Sequence, residues 1–348
     1  LYEEGMIPTY SFPKNVVSTY IMKDGGRISY EVDRGLDIAI GEYAPGRTIV
    51  VDKQTYQIGG LYYPGSERRK GSFVSPAKSY MEDPLYVKRI SMCDQCGWFG
   101  LAEDDRRTCP FCGNDKLKES DRSMVRPWGF APRNAEPVSD ARMTEEYTSV
   151  QQPLYSTLPG ADDMNKVPGC CRIRSASRSN QRIVMLNRGV GGNGFMVCKD
   201  CGAAMPGNHG DALKGLSRPY KSYVKTAACK HEHAENIDLG YDFITDMLVL
   251  EIALDEQRLD ARPKESQWLA RAAQSLAEAL RLAVSKEMDI EFTELVAGYR
   301  QRSNSNGTFV DIYLYDSLSS GAGYAVGVEG KITEILHRTK ELLKVCDC

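Results

Sequence analysis

Short runs of apolar and β-branched residues, separated by turn residues, dominate the first 85 residues of the chain. Aspartate and glycine lie between the first two runs at 24–26, and Asp52-Lys53 lies between the next pair. Short turns of this kind between two apolar runs are typical of hairpins. The pattern predicts an N-terminal β-rich segment over 1–85 with a short helix in it. Its predicted strands are 16–22, 27–32, 48–51 and 55–62.

The last third of the chain alternates between strand and helix patterns. Leu269, Leu276 and Leu280 share one face of a predicted amphipathic helix, and charged residues share the other. The pattern predicts one α/β domain over 236–348, with predicted strands at 243–253, 290–299 and 308–315 and helices at 266–286 and 332–345.

The middle of the chain has a less regular pattern. Residues 119–165 are polar, contain proline and keep no sustained period, so we expect a connecting segment that runs over the surface or is partly mobile. A zinc ribbon is expected over 86–118 and a basic zinc-knuckle region over 166–235. The predicted fold class is therefore an α+β multidomain protein, in which one or more zinc ribbons accompany a C-terminal mixed α/β domain with strands and amphipathic helices.

Bulk composition limits the class of protein. The chain has 348 residues, which is enough for two or three domains. Its net charge of −3 excludes a nucleic-acid binder that is basic over its whole surface. No apolar run is as long as a membrane span, and the first residues do not have the pattern of a signal peptide. The sequence also lacks an initiator Met, so we expect it to be a fragment of a longer protein. Eleven cysteines, several in Cys-x-x-Cys pairs, indicate metal ligands in a reducing cytoplasm rather than disulfides.

Two Cys-x-x-Cys pairs, each followed by glycine, form the clearest motif: Cys93, Cys96, Cys109 and Cys112. Each pair places two thiolates at the spacing of adjacent metal ligands, and four sulfurs form the tetrahedron that Zn²⁺ prefers. A site with four protein ligands has no open position, so this Zn²⁺ would be structural. The alternative is two unrelated pairs of buried cysteines.

A second zinc site is predicted from Cys198, Cys201, Cys229 and His231. Its fourth ligand is open among His231, His233 and His209, and the adjacent Cys170-Cys171 pair is also in range. The alternative here is a single knuckle that binds no metal.

Basic residues concentrate between 164 and 231, where twelve lysines and arginines accompany two acids, giving a local charge of +10. Guanidinium groups interspersed with serine and asparagine suit the phosphate backbone of DNA. The alternatives are an acidic protein partner, or a solvated face without a role. The predicted DNA-binding residues are Arg172, Arg174, Arg178, Arg182, Arg188, Lys214, Arg218, Lys221 and Lys225.

Catalytic motifs are sparse. The chain has neither a phosphate-binding loop ending in Gly-Lys-Ser/Thr nor its acidic partner motif, so we expect no enzyme and no catalytic residue within it. Asp242, Asp246 and Asp316 could form a nuclease-like carboxylate group, but each is more simply a strand-end or helix-capping residue. The loop 319–323 could receive a phosphate on its backbone N–H groups or could be a tight turn.

Two resemblances add to this picture. Residues 239–246, 314–316, 321–325 and Cys346-Asp347-Cys348 resemble the MrfA-type zinc-binding domain that follows many bacterial helicases. Residues 5–13 and 32–46 resemble the DrmB family of DISARM antiphage defence. In the MrfA-type family a further cysteine pair follows the Cys-x-Cys, so the resemblance implies a metal site at the end of this chain that its own residues leave incomplete.

The resemblances imply a DNA-binding accessory subunit that partners a DrmA-like superfamily 2 helicase in bacterial antiphage defence. One alternative is the C-terminal accessory region of a single-chain DNA helicase in defence or repair. Another is an assembly scaffold that makes no contact with DNA.

Overall fold

The chain forms two compact units, and each draws on three separate stretches of sequence. Unit 1 comprises Leu1–Ser91, Glu119–Gln152 and Met185–Tyr241, and unit 2 comprises Met92–Lys118, Pro153–Val184 and Asp242–Cys348. A computed structural model describes residues 15–22, 27–64, 77–102, 106–138, 151–155, 164–207, 213, 216, 218–220, 229–259, 267–304, 307–318 and 321–345. The expected division into five consecutive parts stays a prediction.

Unit 1 contains mostly short strands. They begin with the segments predicted from the N-terminal pattern. In chain order the elements are β1 (Val16–Met22), β2 (Ile28–Gly35), α1 (Leu36–Glu42), β3 (Thr48–Val51), β4 (Gln54–Leu61), α2 (Lys78–Met81), β5 (Val87–Lys88), β6 (Ile90–Met92), β8 (Lys118–Glu119), β9 (Met124–Val125), β10 (Phe130–Pro132), β14 (Phe195–Cys198) and β15 (Ala204–Pro206). Strands β6 and β8 each have one residue in unit 2.

A five-stranded sheet in the order β2-β1-β10-β4-β3 organises this unit. The predicted β3–β4 hairpin is confirmed, with Val51 opposite Gln54 and positive φ at both Asp52 and Lys53. Two successive left-handed residues define the type I′ turn, whose twist matches that of the flanking strands. The predicted turn at 24–26 lies outside the described residues.

The expected surface connection is wrong for the part of 119–165 that forms β9 and β10. Met124, Val125 and Phe130 are buried, and β10 inserts between β1 and β4 in the sheet. Strands of two or three residues carry too few positions to show a period, so the sequence pattern gave no sign of them.

Unit 2 contains the two long helices. Its elements are β7 (Phe99–Leu101), β12 (Asn165–Lys166), α3 (Gln267–Met288), β17 (Leu295–Asn304), β18 (Gly307–Asp316), α4 (Tyr324–Gly327) and α5 (Ile332–Val345). Strands β11 (Gln151–Tyr155), β13 (Ile173–Asn187) and β16 (Ala234–Ala253) contribute residues to both units.

The core of unit 2 confirms the predicted strand and helix pattern. Leu280 and Val284 of α3 and Ile335 of α5 pack with Leu250 of β16 and Leu314 of β18. Strand β18 pairs antiparallel with both β16 and β17. The expected mixed fold, with sheets and amphipathic helices beside candidate zinc groups, is therefore confirmed. Within the described residues, no helix combines the length and apolar character that crossing a bilayer requires.

Gly298 of β17 provides a test of this packing. It lies opposite Tyr313 of β18, and a Cβ at this position would overlap the fully buried Tyr313 ring. We expect Gly298→Ala to lower the free energy of unfolding by about 1–3 kcal/mol, because the ring has no space to move into. Denaturant unfolding measures the change. Gly330→Ala is the control, since a Cβ there meets nothing within 4 Å. Equal stability of the two variants would contradict the packing described.

Candidate functional site

The first donor group is built by two knuckles of the same local design. In one, Cys93 N–H donates to Trp98 O at 2.8 Å and Gly97 N–H donates to Cys93 O at 2.9 Å. In the other, Gly113 N–H donates to Cys109 O at 3.0 Å. Gly97 and Gly113 have φ of 74° and 73°, a left-handed conformation that glycine adopts without strain. Each turn therefore directs its two thiols toward one point.

The four sulfurs of this group fit a tetrahedral zinc ion. Cys93 Sγ lies 3.6 Å from Cys112 Sγ, and Cys96 Sγ lies 3.7 Å from Cys109 Sγ. All four ligand atoms lie within 4.8 Å of one another. A tetrahedron with Zn–S bonds of about 2.3 Å has edges of about 3.8 Å, which these separations match.

The ribbon has a very small apolar core of its own. Trp98 and Phe111 pack against the cysteines, and both rings are buried. The Arg300 guanidinium of β17 lies 3.8 Å from the centroid of the Phe111 ring, in the geometry of a cation–π contact. With so few apolar contacts, the stability of the segment depends on the metal.

The second donor group consists of Cys198, Cys201, Cys229 and His231, whose ligand atoms also lie within 4.8 Å of one another. Cys198 Sγ is 3.5 Å from Cys229 Sγ, and Cys201 Sγ is 3.6 Å from His231 Nδ1. Unlike the ribbon, this group belongs to a larger core, which includes Tyr62 and the Tyr220 ring stacked on it at 4.9 Å.

His231 is the histidine that lies with the three cysteines of the second donor group. His231 Nε2 hydrogen-bonds to the Leu216 carbonyl oxygen, so Nε2 carries the proton and Nδ1 presents a lone pair to the thiols. His233 instead forms an exposed 2.8 Å contact with Asp200, which raises the pKa of His233. His209 lies outside the described residues. Neither donor group includes Cys170 or Cys171.

Hydrogen bonds between the thiols favour partial ionisation of both groups. A hydrogen bond from Cys96 lowers the pKa of the Cys109 thiol to about 5. A hydrogen bond from Cys201 likewise lowers the pKa of Cys198 to about 5, and another lowers that of Cys229 to about 7. The same hydrogen bonds raise the pKa of the partner thiols Cys96 and Cys201, so each group without metal contains both thiolates and thiols. Thiolates are the form that binds a metal, and metal binding would release the remaining protons. Bound Zn²⁺ would supply a structural cross-link, since all four positions are taken by protein atoms.

Three predicted DNA-binding arginines pair with carboxylates of the same chain. Arg172 Nη2 lies 3.0 Å from Asp255, Arg174 Nε lies 2.7 Å from Glu251, and Arg182 contacts Asp242. As the residue number of the arginine rises from 172 to 182, that of its partner falls from 255 to 242, the order expected of antiparallel neighbours. These pairs compensate three of the positive charges in the +10 stretch, and the role of the three arginines in DNA binding stays a prediction.

The remaining predicted DNA-binding residues fall into two sets. Arg178 is partly exposed on β13, Arg188 lies near Asp238 with 3.5 Å between their closest atoms, and the Arg218 guanidinium lies 6.0 Å from the centroid of the Tyr220 ring. Lys214, Lys221 and Lys225 lie outside the described residues.

The three aspartates considered for a nuclease are engaged in structural contacts. Asp316 accepts hydrogen bonds from the backbone N–H groups of Ala322, Tyr324 and Ala325, at 2.6, 3.2 and 2.8 Å. Asp246 accepts one from Asn180 N–H at 3.2 Å, and Asp242 pairs with Arg182. Asp316 therefore occupies the donors of the 321–325 turn that a phosphate would need, which favours the tight-turn interpretation.

Sequence reasoning missed two contributors to these sites. The Leu216 carbonyl that orients His231 is a backbone atom, and no side-chain motif reveals it. The carboxylates that pair with the arginines were visible as an acidic stretch over 235–256, but only the pairing of β13 with β16 brings the two charges together.

Comparison with known proteins identifies one domain family. Residues 276–348 match MZB, the MrfA Zn-binding domain, which confirms the expected kinship with that zinc-binding family. The matched stretch contains two of the eleven cysteines, Cys346 and Cys348, which lie outside the described residues. Both donor groups precede the matched stretch. The family match and the donor groups agree on zinc as the cofactor.

A curated relative matches along the whole chain. The chain is 32% identical over 373 residues to the Druantia protein DruE of Escherichia coli (strain UMEA 4076-1). The match covers 100% of this chain and 20% of DruE, so the chain spans about a fifth of the length of this relative.

Two solved structures of the DUF1998 helicase MrfA also match. The DNA-bound form has a TM-score of 0.45 at 12% identity, and the match covers 98% of this chain and 31% of that one. The form bound to DNA and AMPPNP has a TM-score of 0.40 at 10% identity, covering 99% and 29%.

The expectation that this is not an enzyme is wrong. It was based on the absence of nucleotide-binding motifs from 348 residues, but the chain spans only 20% of the length of its relative DruE. Motifs that hold ATP can lie in the much larger remainder of such proteins, so their absence from this stretch excludes no enzymatic activity.

Substitution of one ribbon cysteine tests the first metal site. We expect Cys109→Ser to lose about one zinc per chain and to expose 92–118 to protease, because the remaining apolar core is too small to hold the fold. Elemental analysis and limited proteolysis measure the two effects. Cys171→Ser, at an exposed cysteine outside both groups, is the control. Unchanged zinc content in Cys109→Ser would contradict the site.

A pair of histidine variants tests the second site. We expect His231→Ala to lose about one zinc per chain and His233→Ala to retain the full content, since of these two histidines His231 alone directs a ring nitrogen at the cysteines. Elemental analysis of both variants under the same conditions decides the matter. The assignment fails if the two variants hold equal amounts of zinc.

Proposed function

We propose that this chain is the zinc-stapled accessory region of a longer, single-chain DNA helicase that acts in bacterial antiphage defence or repair. The observation that carries the proposal is the match to DruE, which extends over 100% of this chain but only 20% of that protein. A region that aligns throughout with one part of a much longer polypeptide is more simply part of such a polypeptide than an independent subunit.

The domain family supports the same proposal. The stretch 276–348 matches the MrfA Zn-binding domain, and MrfA itself is a helicase whose structure has been solved with bound DNA. This stretch contributes α5, part of α3 and the β17–β18 hairpin to unit 2. The zinc region would then be an extension of the motor in the same polypeptide.

The chemistry of the described residues suits a scaffolding role within that enzyme. Both donor groups have four protein ligands, so a metal held there has no position for a substrate or water. Asp242, Asp246 and Asp316 are held in structural contacts. The zinc region would position nucleic acid or neighbouring domains, while ATP hydrolysis takes place in another part of the polypeptide.

A separate subunit of DISARM type is the second candidate. The resemblance of 32–46 to the DrmB family favours it, and this segment forms part of β2, α1 and the turn that follows. In that case the motor would reside on a DrmA-like partner.

An ATPase assay on the purified full-length polypeptide tests the proposal. We expect the polypeptide alone to hydrolyse ATP and DNA to stimulate the rate several-fold, because helicase motors couple turnover to the nucleic acid they hold. A full-length polypeptide that is inactive alone but active after addition of a separate helicase subunit would overturn the proposal and favour the DISARM-type candidate.

A further inference from the structure

One buried carboxylate in unit 1 is shared by two arginines. Asp238 of β16 is fully buried, and Arg122 Nε lies 2.8 Å from its Oδ1 atom. Arg188, the residue that follows β13, lies near the other carboxylate oxygen, with its Nε 3.5 Å from Oδ2. Among the described residues, Asp238 is the ion-pair partner of both. Two positive charges facing one negative charge leave a local surplus of +1.

The two arginines are bound to this carboxylate with different strength. Arg122 makes a hydrogen bond with Asp238 and donates a second, at 2.7 Å, to the carbonyl oxygen of Gly192. Arg188 Nε and Asp238 Oδ2 make no hydrogen bond with any described residue, and 25% of the Arg188 side chain is exposed. Arg122 therefore compensates the carboxylate, and Arg188 carries the surplus charge.

The loop that follows Arg188 adds neutral polar groups beside this charge. Between Arg188 and β14, Gly189, Gly191, Gly192 and Gly194 all have positive φ, and the bond from Arg122 to Gly192 holds the loop in place. Gly191 and Asn193 are exposed at its tip. The Asn193 side chain offers an amide donor of the kind that accompanies arginine at phosphates.

We propose that Arg188, supported by Arg122 and the 189–194 loop, binds a backbone phosphodiester of DNA. The inference deepens the proposed function, on which it rests, by naming a contact point. It also separates Arg188 from Arg174 and Arg182. Arg174 and Arg302 share two carboxylates, Glu251 and Asp311, and Arg182 pairs with Asp242. In these groups each guanidinium is matched by a carboxylate, whereas the single carboxylate of Asp238 cannot compensate both Arg122 and Arg188.

Substitution of Arg188 tests the contact with little risk to the fold, because the hydrogen bond between Arg122 and Asp238 remains. We expect Arg188→Gln in the full-length protein to bind DNA about three- to tenfold more weakly, for every sequence tested. The slope of log affinity against log salt should become shallower by about 1, the amount for one phosphate contact. Fluorescence polarisation over a range of salt concentrations measures both quantities.

Two further variants separate a phosphate contact from a structural role. Arg188→Lys keeps the charge, so its salt slope should stay near that of the unmodified protein. Arg89→Gln removes an exposed arginine paired with Glu119, 3.1 Å away, in the same unit, and should leave both affinity and slope unchanged. Thermal unfolding of all three variants should agree within a few degrees.

The outcomes distinguish the two proposals. If the unmodified full-length protein shows no salt-dependent binding to DNA, the proposed function fails and this inference with it. If that protein binds DNA and Arg188→Gln binds with the same affinity and slope, the inference alone is overturned. It is also overturned if Arg188→Lys loses as much of the slope as Arg188→Gln.

Discussion

Convergence of four donor atoms on one point is the constraint on which much of this chain depends. The ribbon from 92 to 118 has two large apolar side chains against its cysteines, far fewer than an independently stable core needs. Metal coordination replaces the missing apolar burial, and the left-handed turns at Gly97 and Gly113 direct the sulfurs toward one point. The second group differs, because it is embedded in an aromatic core that also holds Tyr62 and Tyr220.

Charge compensation is the second organising feature. Arginines along β13 face carboxylates along β16, and a further arginine, Arg302 of β17, bonds both Glu251 and Asp311. Such pairs hold strand register, because a slip of one residue would leave charges buried without partners. An excess of arginine in a stretch of sequence is thus a poor measure of the charge that the folded surface presents. The useful quantity is the charge left after pairing, which places the emphasis on Arg188.

Carboxylates also satisfy backbone groups in this fold. Asp316 is fully buried and bonds three N–H groups of the turn that leads into α4. The glycines at 321 and 323 give that turn its left-handed residues. The Asp316 carboxylate accepts hydrogen bonds from the N–H groups that an external phosphate would need. Glycines before a helix are therefore, by themselves, weak evidence for a phosphate-binding site. Both donor groups and these pairings describe a region specialised for holding shape, which suits an extension of a motor protein.

Local interactions are what the sequence by itself determined. The Cys-x-x-Cys knuckles, the Asp52-Lys53 hairpin, α3 and α5 could all be predicted, because each depends on residues within a few positions of one another. Only the tertiary structure decided that His231 and not His233 faces the cysteines, that β9 and β10 join buried sheets, and that arginines 172 to 188 meet carboxylates 238 to 255. These outcomes depend on contacts between residues 30 to more than 100 positions apart, and such contacts leave no periodic signal along the chain.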